Sequence, residues 1–406
     1  MHLPTYSVSE VLASNARIID LRSPAEHARD HVPGAVNLPL LDDDQRAVVG
    51  TLYARESPQR AFEEGLSIVE QKMDRLLERI LGREISAEQW RGHFRDLAEK
   101  LSSLQPELVE CKLPRQSDVG GSIPVGAQAP LVLHCWRGGM RSQSVALLLR
   151  TLGQQHVGIL QGGYKEYRRW VMRQLGQLSV EQFSLLVLRG PTGVGKTEIL
   201  RQLEQRQANS TLDLEGLAQH RSSVLGAVGL TPVSQPRFES LLLFRLKELG
   251  SLSQVSGDAA SSDLPAPRPP IFIEGESRKV GDVEIPGCLY QAMSDAPQIH
   301  LIASLEYRME LLGREYLATE SHKQQTLQSL QALNKRLGKS VVAEMCQQIQ
   351  SGDWRLAVAT LLERHYDPLY RRDEINRNWI AEFDVGQTPN LLELLPALAN
   401  GGAHCG

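Results

Sequence analysis

The segment that most constrains the fold is Gly190-Pro-Thr-Gly-Val-Gly-Lys-Thr197, which fits the pattern G-x-x-x-x-G-K-[ST] of a phosphate-binding loop. Residues 185–188 before it are apolar and read as a buried strand. Residues 198–206 after it read as a helix with apolar side chains on one face. Strand, loop and helix in this order are the context in which the pattern binds phosphate. We therefore expect an α/β domain built around this loop.

Each residue type in the loop has a role in holding a phosphate. Gly190, Gly193 and Gly195 let backbone N–H groups wrap the anion, and Lys196 supplies a positive charge. The hydroxyl of Thr197 suits a Mg²⁺ ion. We expect this loop to bind a di- or triphosphate, and the pattern does not specify which one.

Three carboxylates are candidates for holding a metal ion or a water near this loop. Glu274 ends the apolar run 271–273, in the manner of the second metal-holding position of such domains, although Asp is more usual there. A surface glutamate at the end of a strand is the alternative interpretation. Asp213 and Glu215 are the further candidates.

A second loop surrounds Cys135. Residues 131–133 form an apolar strand that delivers Cys135 to its carboxyl end, and residues 142–150 continue as an apolar helix. Between them lie the residues that we expect to bind an anion, together with the first residue of the helix: Trp136, Arg137, Gly138, Gly139, Met140 and Ser142. This setting favours the thiolate, which is the nucleophilic form of cysteine, and Arg141 closes the loop. We expect Cys135 and Arg141 to be catalytic; a buried structural cysteine is the alternative.

Several blocks around this loop resemble the rhodanese family. They are Ile-Ile-Asp-Leu-Arg-Ser-Pro-Ala-Glu at 18–26, His-Val-Pro-Gly-Ala-Val-Asn at 31–37, and Gly162-Gly163 followed by Trp170. The sequence departs from the family at His27 and Asp30. Arg141 also follows Cys135 by six positions instead of the five of many sulfur-transferring rhodaneses. The result, His-Cys-x5-Arg-Ser, also matches the loop of cysteine phosphatases, so the anion at Cys135 is expected to carry a phosphate as well as a chalcogen.

The predicted architecture is α/β with two domains. Residues 1–175 are expected to form a rhodanese-like parallel-sheet domain with a helical insertion at 60–104. Residues 181–390 are expected to form a P-loop NTPase-like α/β domain with C-terminal helices and a flexible loop at 251–270, where Ser, Ala and Pro are frequent. Residues 391–406 are expected to be a tail.

Composition excludes several classes of protein. The five cysteines contain no CxxC pair, which argues against a disulfide framework or a zinc knuckle. No run approaches the roughly 18 apolar residues of a membrane span, and the N-terminus lacks the features of a signal peptide, so we expect a cytoplasmic protein. The net charge of −4 shows no basic bias. Any contact with RNA must use local patches such as Arg168-Arg169 or Arg371-Arg372, although solvated charged faces are the alternative.

Together, the two loops and Asp-Leu-Glu-Gly-Leu-Ala-x-His-Arg at 213–221 closely resemble the bacterial tRNA 2-selenouridine synthases over nearly the whole chain. This resemblance implies that tRNA with 2-thiouridine at the wobble position is converted to 2-selenouridine in two stages. Geranyl diphosphate alkylates the sulfur, and selenium from selenophosphate then replaces the geranylthio group. No resident cofactor is implied with certainty, although Mg²⁺ suits the phosphate loop. A P-loop kinase or NTPase with a regulatory rhodanese domain and a cysteine phosphatase are the alternatives.

Overall fold

Five parallel strands form the sheet of the N-terminal unit, Met1–Arg173, in the order β1-β5-β4-β2-β3. The computed structural model describes residues 3–102, 129–178, 183–255, 270–374 and 378–399. The strands are β1 (Thr5–Tyr6), β2 (Arg17–Asp20), β3 (Val36–Asn37), β4 (Leu131–His134) and β5 (Val157–Leu160). The inner strands read as continuous apolar runs because helices cover both faces of such a sheet. This sheet confirms the rhodanese-like fold.

Seven helices in the described part of the unit accompany this sheet. They are α1 (Val8–Leu12), α2 (Pro24–Arg29), α3 (Asp43–Arg55), α4 (Pro58–Leu81), α5 (Ala87–Ser102), α6 (Met140–Thr151) and α7 (Gly163–Gln177), the last of which continues past the end of the unit. Met73 and Leu77 of α4 pack with Trp90 of α5 in the same apolar core as Leu133 of the sheet.

The helical insertion is larger than the sequence predicted. It begins at Asp43 and contains three helices, α3, α4 and α5, instead of starting at residue 60. Apolar spacing does not predict the first of these helices, because α3 has no buried residue. Its start is marked instead by Asp42, whose side chain accepts a hydrogen bond from the backbone N–H of Gln45. Residues 103–104 of the predicted insertion lie outside the described residues.

The C-terminal unit, Gln174–Gly406, contains a second parallel sheet in the order β12-β11-β6-β8-β7. Its strands are β6 (Leu185–Arg189), β7 (Thr211–Leu212), β8 (Ile271–Glu274), β11 (Gln298–Ile302) and β12 (Trp379–Asp384), and an antiparallel pair is formed by β9 (Lys279–Val280) and β10 (Val283–Glu284). The central strand β6 pairs with both β8 and β11. This places the carboxyl end of β6, where the phosphate loop begins, beside the carboxyl end of β8.

The helices of this unit confirm a P-loop NTPase-like α/β fold with a helical C-terminal part. They are α8 (Lys196–Arg206), α9 (Leu214–Ala218), α10 (Gln235–Val255), α11 (Gly287–Asp295), α12 (Leu305–Tyr316), α13 (Glu320–Leu330), α14 (Asn334–Leu337), α15 (Lys339–Ser351), α16 (Trp354–Leu361), α17 (Asp367–Glu374) and α18 (Leu391–Ala399). A 3-10 turn (Gln331–Leu333) follows α13, and a π-helical turn (Leu362–Tyr366) joins α16 to α17. No helix in the described part of the chain has both the length and the apolar content to cross a membrane.

Two expected boundaries in this unit are corrected. The first five residues of the predicted loop 251–270 complete α10, and residues 256–269 lie outside the described residues. The predicted tail contains α18, and its Leu391 and Leu395 are buried in one core with Ile199 and Leu203 of α8. Residues 391–399 therefore belong to the second domain, because their apolar side chains complete its core.

Candidate functional site

Cys135 follows directly after β4 and is 3% exposed. Its Sγ lies 3.4 Å from Oγ of Ser142, and that hydroxyl also lies 3.1 Å from the carbonyl oxygen of Gly139. Gly139 is the N-cap of the twelve-residue helix α6. The thiol is therefore held at a helix N-terminus, where the helix dipole and free N–H groups stabilise negative charge.

The loop depends on glycine at two points of close backbone contact. Gly138 has φ = +67°, and a Cβ there would lie 2.9 Å from the carbonyl oxygen of Leu160. A Cβ on Gly163, which has φ = +60°, would lie 2.5 Å from the carbonyl oxygen of Cys135. The backbone N–H of Tyr164 donates to that same oxygen at 3.0 Å. The Gly162-Gly163 turn and the Cys135 loop therefore form one close-packed backbone structure.

The remaining loop residues differ in exposure. Trp136 and Arg137 are exposed, whereas Met140 and Arg141 are half-buried. The Trp136 ring lies 5.3 Å from the ring of Tyr164. The structure thus brings together all the loop residues expected from the sequence, with an exposed side formed by Trp136 and Arg137.

A buried polar network supports the loop from inside the domain. Arg22 donates to both carboxylate oxygens of Asp20 and to the carbonyl oxygen of Asp30, and its guanidinium lies 3.7 Å above the Tyr164 ring. The Tyr164 hydroxyl donates to the Asp30 carboxylate at 2.9 Å. Burial raises the pKa of Asp20, but hydrogen bonds from His27 and Arg22 outweigh it and hold this pKa well below its usual range.

Two residues next to this network were not recognised from the sequence. The sequence marks Asp30 only as a departure from the rhodanese pattern, yet it is fully buried and accepts the Tyr164 hydrogen bond. His134 is fully buried as well, and burial lowers its pKa to about 4, so it is neutral at physiological pH.

The two arginine pairs predicted as possible RNA contacts have different outcomes. Arg168 lies 3.6 Å from the Asp30 carboxylate, and Arg169 pairs with Glu166. The side chains of Arg371 and Arg372 lie outside the described residues.

An apolar pocket of about 270 Å³ reaches the Cys135 loop from the insertion helices. Its wall includes Gly65 and Val69 of α4 and Leu97 of α5. Met140 and Arg141 complete it at the start of α6. One pocket thus connects the insertion with the residues that close the cysteine loop.

The phosphate loop of the second unit lies between β6 and α8. Gly190, with φ = +153°, approaches β11 so closely that a Cβ would lie 2.2 Å from the carbonyl oxygen of Leu301. The Nζ of Lys196 donates to the carbonyl oxygen of Gly190 at 3.0 Å, and the hydroxyl of Thr197 donates to Glu215 at 2.9 Å. The Lys196 side chain therefore crosses the loop and bonds to its first residue.

The three candidate carboxylates have different settings. Glu274 is fully buried, so the surface interpretation is wrong; one of its oxygens accepts from the backbone N–H of Glu215 at 2.7 Å. Its other oxygen, Oε2, has no hydrogen-bond partner among the described residues. Burial, together with the carboxylates of Asp213 and Glu215, raises the pKa of Glu274 well above its usual value. Asp213 instead caps α9 by accepting from the backbone N–H of Gly216.

Glu215 accepts a hydrogen bond from the hydroxyl of Thr197 in the phosphate loop. Burial and the neighbouring Glu276 raise its pKa to about 8. Among the described residues, no group of three or more His, Cys, Asp or Glu side chains is arranged to hold a metal ion. Thr197 and Glu215 are nevertheless hard oxygen donors 2.9 Å apart beside the loop, which fits a Mg²⁺ ion that takes its remaining ligands from water and phosphate.

Two residues from distant parts of the chain also support the phosphate loop. Arg308 of α12 donates to the carbonyl oxygen of Thr192 at 2.8 Å and pairs with Asp367 at 2.5 Å. Tyr370 of α17 places its hydroxyl 3.4 Å from that of Thr192, and its ring centroid lies 5.8 Å from the Nζ of Lys196. From the sequence, Arg308 is one of several arginines and lysines that could face a phosphate, with nothing to single it out, and Tyr370 carries no signal, because the fold brings both residues to the loop.

Comparisons with known proteins match both units. Residues 183–395, more than half of the chain, match the family model described as the tRNA 2-selenouridine synthase AAA domain, and residues 7–74 match the rhodanese-like domain. The curated tRNA 2-selenouridine synthase of Pseudomonas syringae pv. tomato is 30% identical over 381 residues, covering 87% of each chain. That of Sulfurovum sp. is 28% identical over 396 residues, covering 91% of each chain, and that of Pseudomonas syringae pv. syringae is 29% identical over 405 residues, covering 93% of each.

Proposed function

This chain belongs to the tRNA 2-selenouridine synthase family, and from that premise we propose that it converts 2-thiouridine at the wobble position of tRNA to 2-selenouridine through an S-geranyl intermediate. The observation that carries the proposal is the presence, in one chain, of a cysteine at a helix N-terminus and of a complete phosphate loop. The reaction needs both, because one stage releases a diphosphate and the other delivers selenium.

The first stage alkylates the sulfur of 2-thiouridine with geranyl diphosphate. A bond forms between the sulfur and the terminal carbon of the geranyl group while the bond from that carbon to the diphosphate oxygen breaks. The leaving diphosphate needs a cradle of positive charge and N–H groups, and the loop from Gly190 to Thr197 offers both. We assign Lys196 to this diphosphate, to which its Nζ transfers from the carbonyl oxygen of Gly190.

A magnesium ion fits this stage. Thr197 and Glu215 would hold it, with Glu274 supporting Glu215 through the hydrogen bond to its backbone N–H. When bound, the ion neutralises charge on the leaving diphosphate. The side chain of Asp213 caps α9, so we assign Asp213 a role in positioning this helix and not in holding the metal ion.

The second stage replaces the geranylthio group with selenium. A neutral thiocarbonyl is a poor leaving group, whereas the alkylated sulfur departs as geranylthiol when selenium bonds to the same carbon. Selenophosphate is a tetrahedral anion that suits the loop from Trp136 to Ser142. We assign Cys135 as the nucleophile that attacks the phosphorus of selenophosphate, so that the phosphorus–selenium bond breaks and selenide is released to attack the alkylated carbon. Water then hydrolyses the phosphocysteine to phosphate and free Cys135. We assign Arg141 to the phosphate group of this anion.

The alternatives have less support. A cysteine phosphatase needs an aspartic acid that protonates the leaving oxygen. Near Cys135, Asp20 has a strongly lowered pKa and is bound by Arg22, while Asp30 is bound by Tyr164. If the protein were instead a kinase or NTPase, we would expect it to hydrolyse ATP, and a small acceptor molecule would stimulate this hydrolysis.

Reconstitution with purified full-length protein tests the proposal. An RNA containing 2-thiouridine, incubated with geranyl diphosphate alone, is expected to gain one geranyl group, and addition of selenophosphate is expected to convert the product to 2-selenouridine. Nucleoside mass spectrometry measures both products. No alkylation with geranyl diphosphate, or selenation that proceeds without it, would contradict the two-stage route.

A further inference from the structure

We propose that the apolar pocket between the insertion helices and the Cys135 loop binds the ten-carbon geranyl chain of the S-geranyl intermediate during the second stage. The inference rests on the proposed function, which supplies the geranyl group, and it adds the place where that group binds. It gives the three-helix insertion a role in substrate recognition.

The chemistry of the wall selects an apolar ligand. Nearly all of the pocket-lining side chains are aliphatic or aromatic, among them Val69, Phe94 and Leu97. Protein interiors are packed as densely as organic crystals and hold few voids larger than a water molecule. The pocket of about 270 Å³ is instead partly open to solvent, so an apolar ligand can enter it, and the apolar walls would remove the carbons of that ligand from water.

The volume of the pocket indicates how long a hydrocarbon chain it can hold. An apolar cavity of about 150 Å³ accepts benzene, which has six carbons. By proportion, a cavity of 270 Å³ accepts about eleven carbons. A geranyl chain has ten, whereas a five-carbon isoprenyl chain would leave about half of the pocket empty.

The polar end of the pocket selects the orientation. Arg141 and Ser144, on the first two turns of α6, bring polar side chains to a wall that is otherwise almost entirely apolar. Arg141 is also the residue that closes the Cys135 loop. A geranyl chain with its apolar tail among the insertion helices would therefore present its sulfur-bearing end on the side of Arg141, toward the loop that binds selenophosphate.

The small residue Gly65 allows the pocket to be filled without damage to the fold. A Cβ at Gly65 would lie 3.8 Å from a methyl group of Val49, which is ordinary van der Waals contact. Gly65 lies in the interior of α4, where replacing glycine by leucine also improves helix propensity. Gly65→Leu should therefore occupy the pocket while preserving the helix. Gly92→Leu is the matched control, because Gly92 is exposed on α5 with no atom within 4 Å of its Cβ position.

Chain-length preference is the decisive measurement. For the full-length wild type and both variants, we would measure the affinity for RNA that carries S-geranyl-2-thiouridine and for RNA that carries S-dimethylallyl-2-thiouridine. We would also measure the selenation of both RNAs. For the wild type we expect at least about tenfold tighter binding of the geranylated RNA. For Gly65→Leu we expect this preference to disappear and selenation of the geranylated RNA to fall, with the dimethylallylated RNA bound within about twofold of the wild type. Gly92→Leu should match the wild type.

Equal loss of both ligands in Gly65→Leu, or retention of the ten-carbon preference, would overturn the pocket assignment. In either case the proposed function would stand if the wild type still made the geranylated and selenated nucleosides. If the wild type neither bound geranyl diphosphate nor alkylated the RNA, both the function and the pocket assignment would be wrong. The melting temperature of each variant, measured by circular dichroism, separates loss of binding from loss of folding.

Discussion

The hydroxyl of Ser142 lies 3.4 Å from the sulfur of Cys135, and it is held there by a second contact with the carbonyl oxygen of Gly139. The residue that begins the apolar part of α6 is therefore also the side chain that touches the nucleophile. This contact ties the reactivity of the thiol to the geometry of the loop.

Removing this hydroxyl should slow selenation. A hydrogen bond to a charged group contributes about 1.5–3 kcal/mol, so Ser142→Ala is expected to reduce the selenation rate by roughly 10- to 100-fold, with geranylation unchanged. Single-turnover assays on pre-geranylated RNA measure this effect. Thr151→Ala, which removes an exposed hydroxyl that bonds to the carbonyl oxygen of Leu147 at the end of α6, is the control. A wild-type rate in Ser142→Ala would show that the hydroxyl has no part in the step.

The phosphate loop should be needed for geranylation only. Lys196→Ala is expected to abolish alkylation by geranyl diphosphate, because the leaving diphosphate loses its main positive charge. The same variant should still convert RNA that is supplied with the geranyl group in place. Loss of selenation with geranylation intact would reverse our assignment of the two loops to the two stages.

The buried bond from Tyr164 to Asp30 should stabilise the first domain. Tyr164→Phe leaves the Asp30 carboxylate without this donor, so the free energy of unfolding is expected to fall by about 1.5–3 kcal/mol. Urea denaturation monitored by circular dichroism measures the change. Tyr53→Phe, at a tyrosine that is 57% exposed, should have little effect. An equal change in the two variants would contradict a specific role for the buried bond.

Binding of diphosphate to the second domain should depend on pH through Glu215. The pKa of Glu215 is raised to about 8, so this carboxyl is mostly neutral at pH 7 and becomes negative as the pH rises through that value. Without Mg²⁺, the affinity for pyrophosphate is therefore expected to fall between about pH 7 and pH 9. Titration calorimetry in the presence of a chelator measures it.

Glu215→Gln should remove most of this pH dependence, because the amide cannot ionise. Glu320→Gln, at an exposed residue that starts α13, serves as the control and should keep the wild-type profile. A wild-type affinity that stays constant over this pH range would contradict the raised pKa of Glu215.

The parts of the site that are local in the sequence could be predicted, and the parts that depend on packing could not. The Cys135 loop and the phosphate loop each consist of consecutive residues between a strand and a helix, and the structure places both between those elements. Arg308 and Tyr370 reach the phosphate loop from more than a hundred residues away, and no local pattern marks them. Fold class and loop positions therefore follow from periodicity and spacing.

The helices show the same limit. The apolar spacing of α4 and α5 predicted their presence, but α3 buries no residue and leaves no such pattern. The apolar residues of α18 looked like part of a tail because their partners, Ile199 and Leu203, lie almost two hundred residues earlier. The pocket at Arg141 was unpredictable for the same reason, since its wall is assembled from the insertion helices and from α6.

The most direct test of the central claim is nucleoside mass spectrometry of tRNA from the host strain after deletion of this gene, with and without complementation. We predict that 2-selenouridine disappears and 2-thiouridine accumulates in the deletion strain. The intact gene should restore 2-selenouridine, whereas a gene carrying Cys135→Ala should yield S-geranyl-2-thiouridine in its place. Persistence of 2-selenouridine in the deletion strain, or its restoration by Cys135→Ala, would contradict the account.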